Sequence, residues 1–405
     1  MHTSATSEIW DSVETLPREE LGARQRERLR AIARVRGLDD GASLPFTTKE
    51  DLRAAYPFGL LAVPREQLVR IQASSGTHGK PTVVGYTRAD LENWTQLMAR
   101  SMFCAGVRPG MLVHNANGYG LFTGGLGFHQ GAERIGCTVV PVSGGFTARQ
   151  AMLLRDLGAH VLVATPSYAL VIAQALGDTS GLRLELGLFG GEPWTEAMRK
   201  EIERALGLRA VNFYGLSEMC GPGVAVECPA RSGLHVQEDH FLVEVVDPVS
   251  GRQLPAGAEG ELVFTTLTKE AMPLIRYRTG DIGTLVDGPC ECGRSFVRIT
   301  GLRGRHDDML IVRGVNLYPS TVEVALLSVP GTAPHYRLIV ERPHVLDELT
   351  VECEAVDASI DRAELRERLE KVLREQTGLR IGVAVLEPGA VPRSQGKAVR
   401  VVDRR

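Results

Sequence analysis

Between residues 70 and 190, short apolar runs alternate with stretches of helical period. LVRIQA, MLVHNA, TVVPVS, HVLVAT and LELGLFGG read as strands; ARQAMLLRDLG and PSYALVIAQALG read as helices. Strands that alternate with helices predict a largely parallel sheet. Upstream, Trp10, Val13, Leu16, Leu29, Ile32 and Val35 mark one stripe of a charged helical region over residues 8–37, a surface element packing a single face. From about residue 240 the period changes. HFLVEVVDP, GELVFTTL and the run ending at Asp287-Gly288 predict antiparallel strands. RLIVE, LTVECEAV and RIGVAVLEP then read as strands around a helix from Arg362 to Gln376 that Gly378 stops. The expected fold class is α/β. A large N-terminal domain (1–304) has mainly parallel sheets and helices plus an antiparallel β subdomain, and a small α+β domain (305–405) follows.

Composition narrows the function classes. The 405 residues are 43% hydrophobic and 23% charged, ordinary globular values, with a net charge of −3. That balance points to neither a nucleic-acid partner nor an anionic membrane. The N-terminus is polar and acidic, unlike a signal peptide, and the most apolar stretch, 159–176, carries Thr165, Pro166, Ser167 and Gln174. A cytoplasmic protein is expected, with its seven cysteines reduced. Cysteine clusters then point to metal: PCECGRS places Cys290 and Cys292 on a Cys-x-Cys-Gly turn, and Cys228 with His235 in ECPARSGLHV would complete a Cys3His site for structural Zn2+.

One loop stands out. SSGTHGKPTVVGYT begins at Ser74 and concentrates hydroxyls, glycines and a lysine: Ser74, Ser75, Gly76, Thr77, His78, Gly79 and Lys80. Glycines let backbone N–H groups turn toward one anion, hydroxyls add donors and the lysine adds charge. The spacing is not that of a Walker loop, since Pro81 follows the lysine and the next segment is strand-like. By itself such a loop serves a surface hairpin as readily as a phosphate.

The loop resembles the phosphate-binding motif of the adenylate-forming superfamily of acyl-CoA synthetases, adenylation domains and luciferases. Further motifs follow in order: GGEPW (Gly190 to Trp194), FYGLSEMCGPG (Phe213 to Gly223), RYRTGD ending at Asp281, GRHDDMLIVRGVNLYPSTVE, and PRSQGKAVR with Lys397. An isolated aspartate or lysine is as well explained by a turn cap or a solvated tail; five motifs in this order are specific. GYGLFTGGLGFHQGAERIGCTVVPVSGG and LTKEAMPLIRYRTGDI are most similar to the phenylacetate–CoA ligase branch.

The resemblance implies ATP, Mg2+ and coenzyme A as cofactors and a small aromatic carboxylic acid as substrate, and it is compatible with a homodimer. It implies Lys397 and Glu218 as catalytic residues, Glu218 also holding Mg2+. Nucleotide contacts would come from the phosphate loop, Gly191, Glu192, Pro193, Tyr214, Gly215, Ser217, Asp281 and Arg305. The acid would lie against Asn117, Tyr119, Phe122, Gly124, Phe146 and Gly215, and the C-terminal domain would turn about a hinge at Asp307. Three positions depart from the pattern: His78 stands where threonine is usual, Asn117 where relatives carry an aromatic residue, and Phe146 where they carry a polar one. Asn117 suits a ring substituent that hydrogen-bonds. An aryl-acid–CoA ligase is therefore expected. The alternatives are an aryl-acid adenylating enzyme that loads carrier-protein phosphopantetheine, and a non-catalytic nucleotide-binding homologue.

Overall fold

The computed structural model describes residues 9–38, 44–74, 81–305, 309–312, 315–342 and 347–405. Its centre is an 11-stranded sheet. The parallel part contains β3 (Leu112–Asn115), β4 (Thr138–Val140), β5 (Val161–Ala164), β6 (Leu186–Gly190) and β7 (Arg209–Leu216). These strands alternate with helices α3 (Arg88–Ala105), α4 (Thr123–Ile135), α5 (Thr147–Leu157), α6 (Pro166–Leu176) and α7 (Glu196–Leu206). Helices cover parallel strands on both faces, so β5, VLVA, is buried at every position. The antiparallel strands are β8 (Gly221–Glu227), β9 (Leu234–Val236), β10 (Phe241–Val246), β11 (Glu259–Thr266), β12 (Tyr277–Val286) and β13 (Arg298–Arg305). They continue the same sheet, in the order β10-β11-β12-β13-β9-β8-β7-β6-β5-β3-β4. The antiparallel portion is thus not a separate sheet: β8 pairs directly and antiparallel with β7.

Two further differences from the pattern reading are local. LVRIQA supplies β1 (Arg70–Ala73), which pairs only with β2 (Val83–Tyr86) in a two-stranded hairpin outside the main sheet. Asp11 caps a short 3-10 turn, Ser12–Thr15, which breaks the first helical stretch before α1 (Arg18–Val35).

The C-terminal part has its own core, which includes Val322, Leu326, Leu338, Val351, Leu369 and Leu373. There α8 (Pro319–Leu327) and α9 (Arg362–Thr377) pack on the sheet β18-β17-β16-β19, made of β16 (Thr332–Glu341), β17 (Glu348–Ala355), β18 (Gly382–Leu386) and β19 (Val401–Asp403). Asp361 caps α9 by accepting the N–H groups of Ala363 and Glu364, worth about 1 kcal/mol, and left-handed Gly378 ends it. No helix among the described residues is long and apolar enough to cross a membrane.

Buried charge pins the helices to the sheet. Arg100 of α3 holds both oxygens of Asp239 at 2.8 and 3.2 Å, and Arg28 of α1 donates to the Asp239 carbonyl. Burial alone would raise the Asp239 carboxyl. The Arg100 charge and the hydrogen bond from His240 outweigh it and hold that carboxyl well below the usual carboxylate range.

A carboxyl more acidic in the fold contributes stability that is complete above the unfolded carboxylate range, near pH 4, and is lost as pH falls through the lower folded value. Arg100→Met leaves Asp239 charged and buried without its guanidinium partner, with the His240 hydrogen bond still in place. It should cost about 3–5 kcal/mol at pH 7 in urea unfolding, and less below about pH 4. An equal cost at pH 3 and pH 7 would contradict this pairing.

Candidate active site

The parallel strands run β3 to β4 in one direction across the sheet and β5 to β6 to β7 in the other. Loops leaving β3 and β5 therefore diverge, and a crevice opens beyond the carboxyl ends of the strands, where open α/β sheets bind ligands. The loop after β3 carries Asn117 and Tyr119, and the loop after β4 carries Gly144 and Gly145. Thr165 follows β5, and Gly191 to Trp194 follow β6.

The segment 394–398 lies across these loops. Thr165 Oγ1 and Ser167 Oγ donate to the Gly396 carbonyl at 2.9 and 3.2 Å. Glu192 accepts the Ser167 N–H on one carboxylate oxygen and the Ala398 N–H on the other, each at 2.7 Å. A Cβ at Gly144 would come within 3.0 Å of the Gln395 carbonyl oxygen. One at Gly145, whose φ is +83°, would come within 2.8 Å of the Gln395 side chain, so bare backbone is required there.

This seating carries Lys397 into a ring of charge. Its Nζ lies 5.6 Å from the centre of the Phe122 ring. The Lys397 side chain is exposed, and the protein atoms packed around it lower its pKa by desolvation. Glu192, Glu218 and Asp281 oppose that shift, and Arg305 reinforces it. Glu218 is 7% exposed, on the turn between β7 and β8. On the same turn Ser217 Oγ lies 3.1 Å from Thr123 Oγ1.

Tyr214 donates its hydroxyl to Asp281 at 2.6 Å, and its ring stacks on Phe264 with centroids 5.9 Å apart. Burial, reinforced by the Asp281 charge, raises the Tyr214 phenol well above its ordinary value, so it remains a donor at neutral pH. Asp281 stands opposite Arg305 in the β12–β13 ladder.

On the other side, Asn115 Nδ2 donates to the Tyr119 hydroxyl at 2.9 Å and to the Gly125 carbonyl at 2.8 Å. The Tyr119 hydroxyl lies 3.1 Å from His129 Nδ1, and burial pushes its pKa up to about 12. The Asn117 backbone N–H is held by Asn115 Oδ1 at 3.2 Å, and a Cβ at Gly124 would lie 3.5 Å from the Asn117 side chain. Phe146 stands apart: it is 67% exposed, in left-handed conformation at the start of α5, with the Arg149 guanidinium 4.9 Å from its ring centre. Its ring faces solvent and joins neither group.

Ser75, Gly76, Thr77, His78, Gly79 and Lys80 lie outside the described residues, as does Asp307. The loop's base is described. The Ser74 hydroxyl and Gln72 Oε1 are buried without a hydrogen-bond partner among the described residues, and Gln72 Nε2 donates to the Phe122 carbonyl at 3.0 Å. Gln72, Thr165 and Ser167 were not assigned to the site from the sequence. The only signal for the last two was their place directly after a buried strand.

A second cluster lies in the antiparallel region. Cys228, His235, Cys290 and Cys292 are all buried, and their ligand atoms lie within 4.8 Å of one another. Cys228 and Cys290 sulfurs are 3.7 Å apart, and Cys292 Sγ is 3.4 Å from His235 Nε2. Zn–S bonds of about 2.3 Å at tetrahedral angles place sulfurs roughly 3.8 Å apart, so three thiolates and one imidazole fit a closed zinc site. Cys104 and Cys353 are buried core residues, and Cys220 is buried within the main core.

A family model described as "AMP-binding enzyme" matches residues 9–267, and one described as "AMP-binding enzyme C-terminal domain" matches residues 314–405. A phenylacetate-coenzyme A ligase of Thermus thermophilus is 50% identical over 438 aligned positions, covering 97% of this chain and 98% of that protein. The phenylacetate-coenzyme A ligase of Escherichia coli is 50% identical, covering 91% and 86%. Among solved structures, 2-hydroxyisobutyryl-CoA ligase in its postadenylation state with 2-HIB-AMP superposes with a TM-score of 0.89 at 27% identity, over 100% of this chain and 95% of that one. The same enzyme with CoA in its thioesterification state gives 0.71 at 28% identity, over 97% and 91%.

The β7–β8 hairpin that carries Glu218 depends on close backbone approach at Gly215, where a Cβ would overlap the Gly221 carbonyl oxygen. Gly215→Ala should lower the melting temperature by several degrees, the equivalent of about 1–3 kcal/mol. An unchanged melt would show that the hairpin can open without cost.

Proposed function

The chain belongs to the AMP-binding, adenylate-forming enzyme family, and from that premise we propose how its residues act as those of an aryl-acid–coenzyme A ligase. In the first half-reaction a carboxylate oxygen attacks the α-phosphorus of ATP and pyrophosphate leaves, giving acyl-AMP. In the second, the coenzyme A thiolate attacks the acyl carbonyl and AMP leaves with the electron pair of the broken C–O bond. One observation carries the proposal: Lys397 is brought by its docked segment beside Phe122 and among Glu192, Glu218 and Asp281. Two anionic reactants must meet, and a fixed cation between them stabilises the charge that develops in transfer.

The other residues have roles that follow from their chemistry. Asp281 accepts the ribose hydroxyls beside its bond from Tyr214, whose ring packs against the base. Arg305 and the loop from Ser74 bind phosphate oxygens. Gly191, Glu192 and Pro193 line the adenine, Gly215 lets the ligand approach the backbone, and Ser217 orients the turn. Glu218, a largely buried carboxylate with no cationic hydrogen-bond partner among the described residues, suits Mg2+, which when bound would neutralise phosphate charge. Asn117, Tyr119, Phe122 and Gly124 form the acid side, and the similarity to phenylacetate-coenzyme A ligases favours an arylacetic acid. The similarity supports the coenzyme A reading over the carrier-protein and non-catalytic ones. We place the domain division at 304/305.

The Cys228–His235–Cys290–Cys292 cluster is read as a structural zinc site. It ties β8, β9 and the β12–β13 connection together at the base of the Glu218 hairpin.

ATP–pyrophosphate exchange across benzoic, phenylacetic and hydroxy- or amino-substituted aryl acids tests the reading. Exchange with at least one acid is expected, and exchange with none contradicts it. Lys397→Ala should slow acyl-AMP formation by about 10²–10³, while supplied acyl-AMP still reacts with coenzyme A at nearly the parent rate. Equal losses in both halves would overturn the assigned role. Purified protein should hold about one zinc per chain by mass spectrometry, and Cys290→Ser should lower stability more than nucleotide affinity. A metal-free protein of full stability would remove the zinc site.

A further inference from the structure

Among the described residues, the segment that follows β6 makes two hydrogen-bonded contacts with the C-terminal part of the chain. Its first contact is Glu192 with the Ala398 N–H. Its second is Thr195, whose hydroxyl donates to Glu323 Oε1 at 2.7 Å while accepting the Met198 N–H at 3.2 Å. A hydroxyl has one donor and two acceptor sites, so both bonds are satisfied together. Thr195 therefore caps α7 and grips α8 with one oxygen.

Glu323 is 3% exposed. Its second oxygen accepts from the Tyr336 hydroxyl at 3.2 Å and from Arg400 at 3.4 Å, and the Arg400 guanidinium stacks 4.3 Å from the centre of the Tyr336 ring. The carboxylate is thus fixed within the C-terminal core by Tyr336 and Arg400, and its remaining oxygen crosses to Thr195. Arg400 lies three residues beyond Lys397 on the same segment, so Glu323 touches both the helix and the strand-leading stretch that set the position of Lys397. Superposition is closer on the postadenylation form of 2-hydroxyisobutyryl-CoA ligase than on its thioesterification form. These bonds belong to the arrangement seen here.

We propose that Thr195 and Glu323 form a latch between the nucleotide-side segment and the C-terminal part, and are positioning residues for acyl-AMP formation but not for thioester formation. Neither touches the reacting atoms. They act through Lys397, by holding its segment seated. The proposal rests on the ligase reading above and adds to it which contacts keep the first half-reaction assembled.

The variants separate the latch from the helix cap. Thr195→Asp keeps a good cap for α7 but sets a carboxylate against Glu323. Thr195→Ser keeps both bonds. A hydrogen bond to a charged group is worth roughly tenfold or more in an equilibrium. Thr195→Asp should therefore lower ATP–pyrophosphate exchange at least about tenfold, while conversion of supplied acyl-AMP and coenzyme A stays within about twofold of the parent. Thr195→Ser should match the parent in both, and adding Glu323→Gln to Thr195→Asp should recover part of the loss by removing the repulsion. Hydrogen exchange gives a readout independent of activity: the Ala398 amide should exchange faster in Thr195→Asp and the Met198 amide should not. Equal loss in both half-reactions, or no change at Ala398, overturns the latch. A parent that exchanges with no acid sinks the ligase reading instead, and the Ala398 amide then decides the latch alone.

Discussion

Both oxygens of the Glu192 carboxylate are taken by backbone N–H groups, one from Ser167 at the start of α6 and one from Ala398 near the end of the chain. Much of the site's geometry depends on that pair of bonds. Charge-assisted hydrogen bonds of this kind are short and strong, and here they fix a tail segment, not a ligand, beyond the carboxyl ends of β5 and β6. Lys397 immediately precedes Ala398, so its amine goes where the clamp puts it. Desolvation by the surrounding protein lowers the pKa of that amine, and nearby carboxylates oppose the shift.

The frame beneath is equally constrained. Parallel strands buried on both faces turn their carboxyl ends toward one crevice, and the reversal of strand order between β3 and β5 parts the loops that line it. The antiparallel strands extend this frame without a break, so the Tyr214–Asp281 bond spans β7 and β12 of one sheet. Cys228, at the far end of β8, meets His235 of β9 and Cys290 and Cys292 of the β12–β13 connection. The Tyr214–Asp281 pair, the Asn115–Tyr119 group and the cysteine–histidine cluster thus share one sheet, while Lys397 arrives from a part of the chain with a separate core.

What could be read from the sequence follows the range of the interactions. Strands β3 to β6 and helices α5 and α6 were legible because burial sets their apolar period, and Gly378 marked the end of α9 for a local backbone reason. The Cys-x-Cys-Gly turn was legible because its ligands are neighbours, though only the fold brings Cys228 and His235 to it. Order of motifs, not any one residue, gathered Tyr214, Glu218, Asp281 and Lys397. The pairing partner of β1, the continuity of the sheet across β7 and β8, and the Thr195–Glu323 contact were not legible. Each is a long-range choice that leaves no period in the local pattern. Phe146 shows the opposite failure: a motif position suggested a lining residue, and left-handed backbone at the start of α5 turns it to solvent.

The central claim is that a carboxylate oxygen of the acid becomes bonded to the α-phosphorus of ATP under Lys397. An aryl acid labelled with 18O at both carboxylate oxygens, turned over with ATP and coenzyme A, tests it directly. Mass spectrometry of the products should find one 18O in AMP and one in the thioester carbonyl. Label in inorganic phosphate, or AMP without label, would contradict the account.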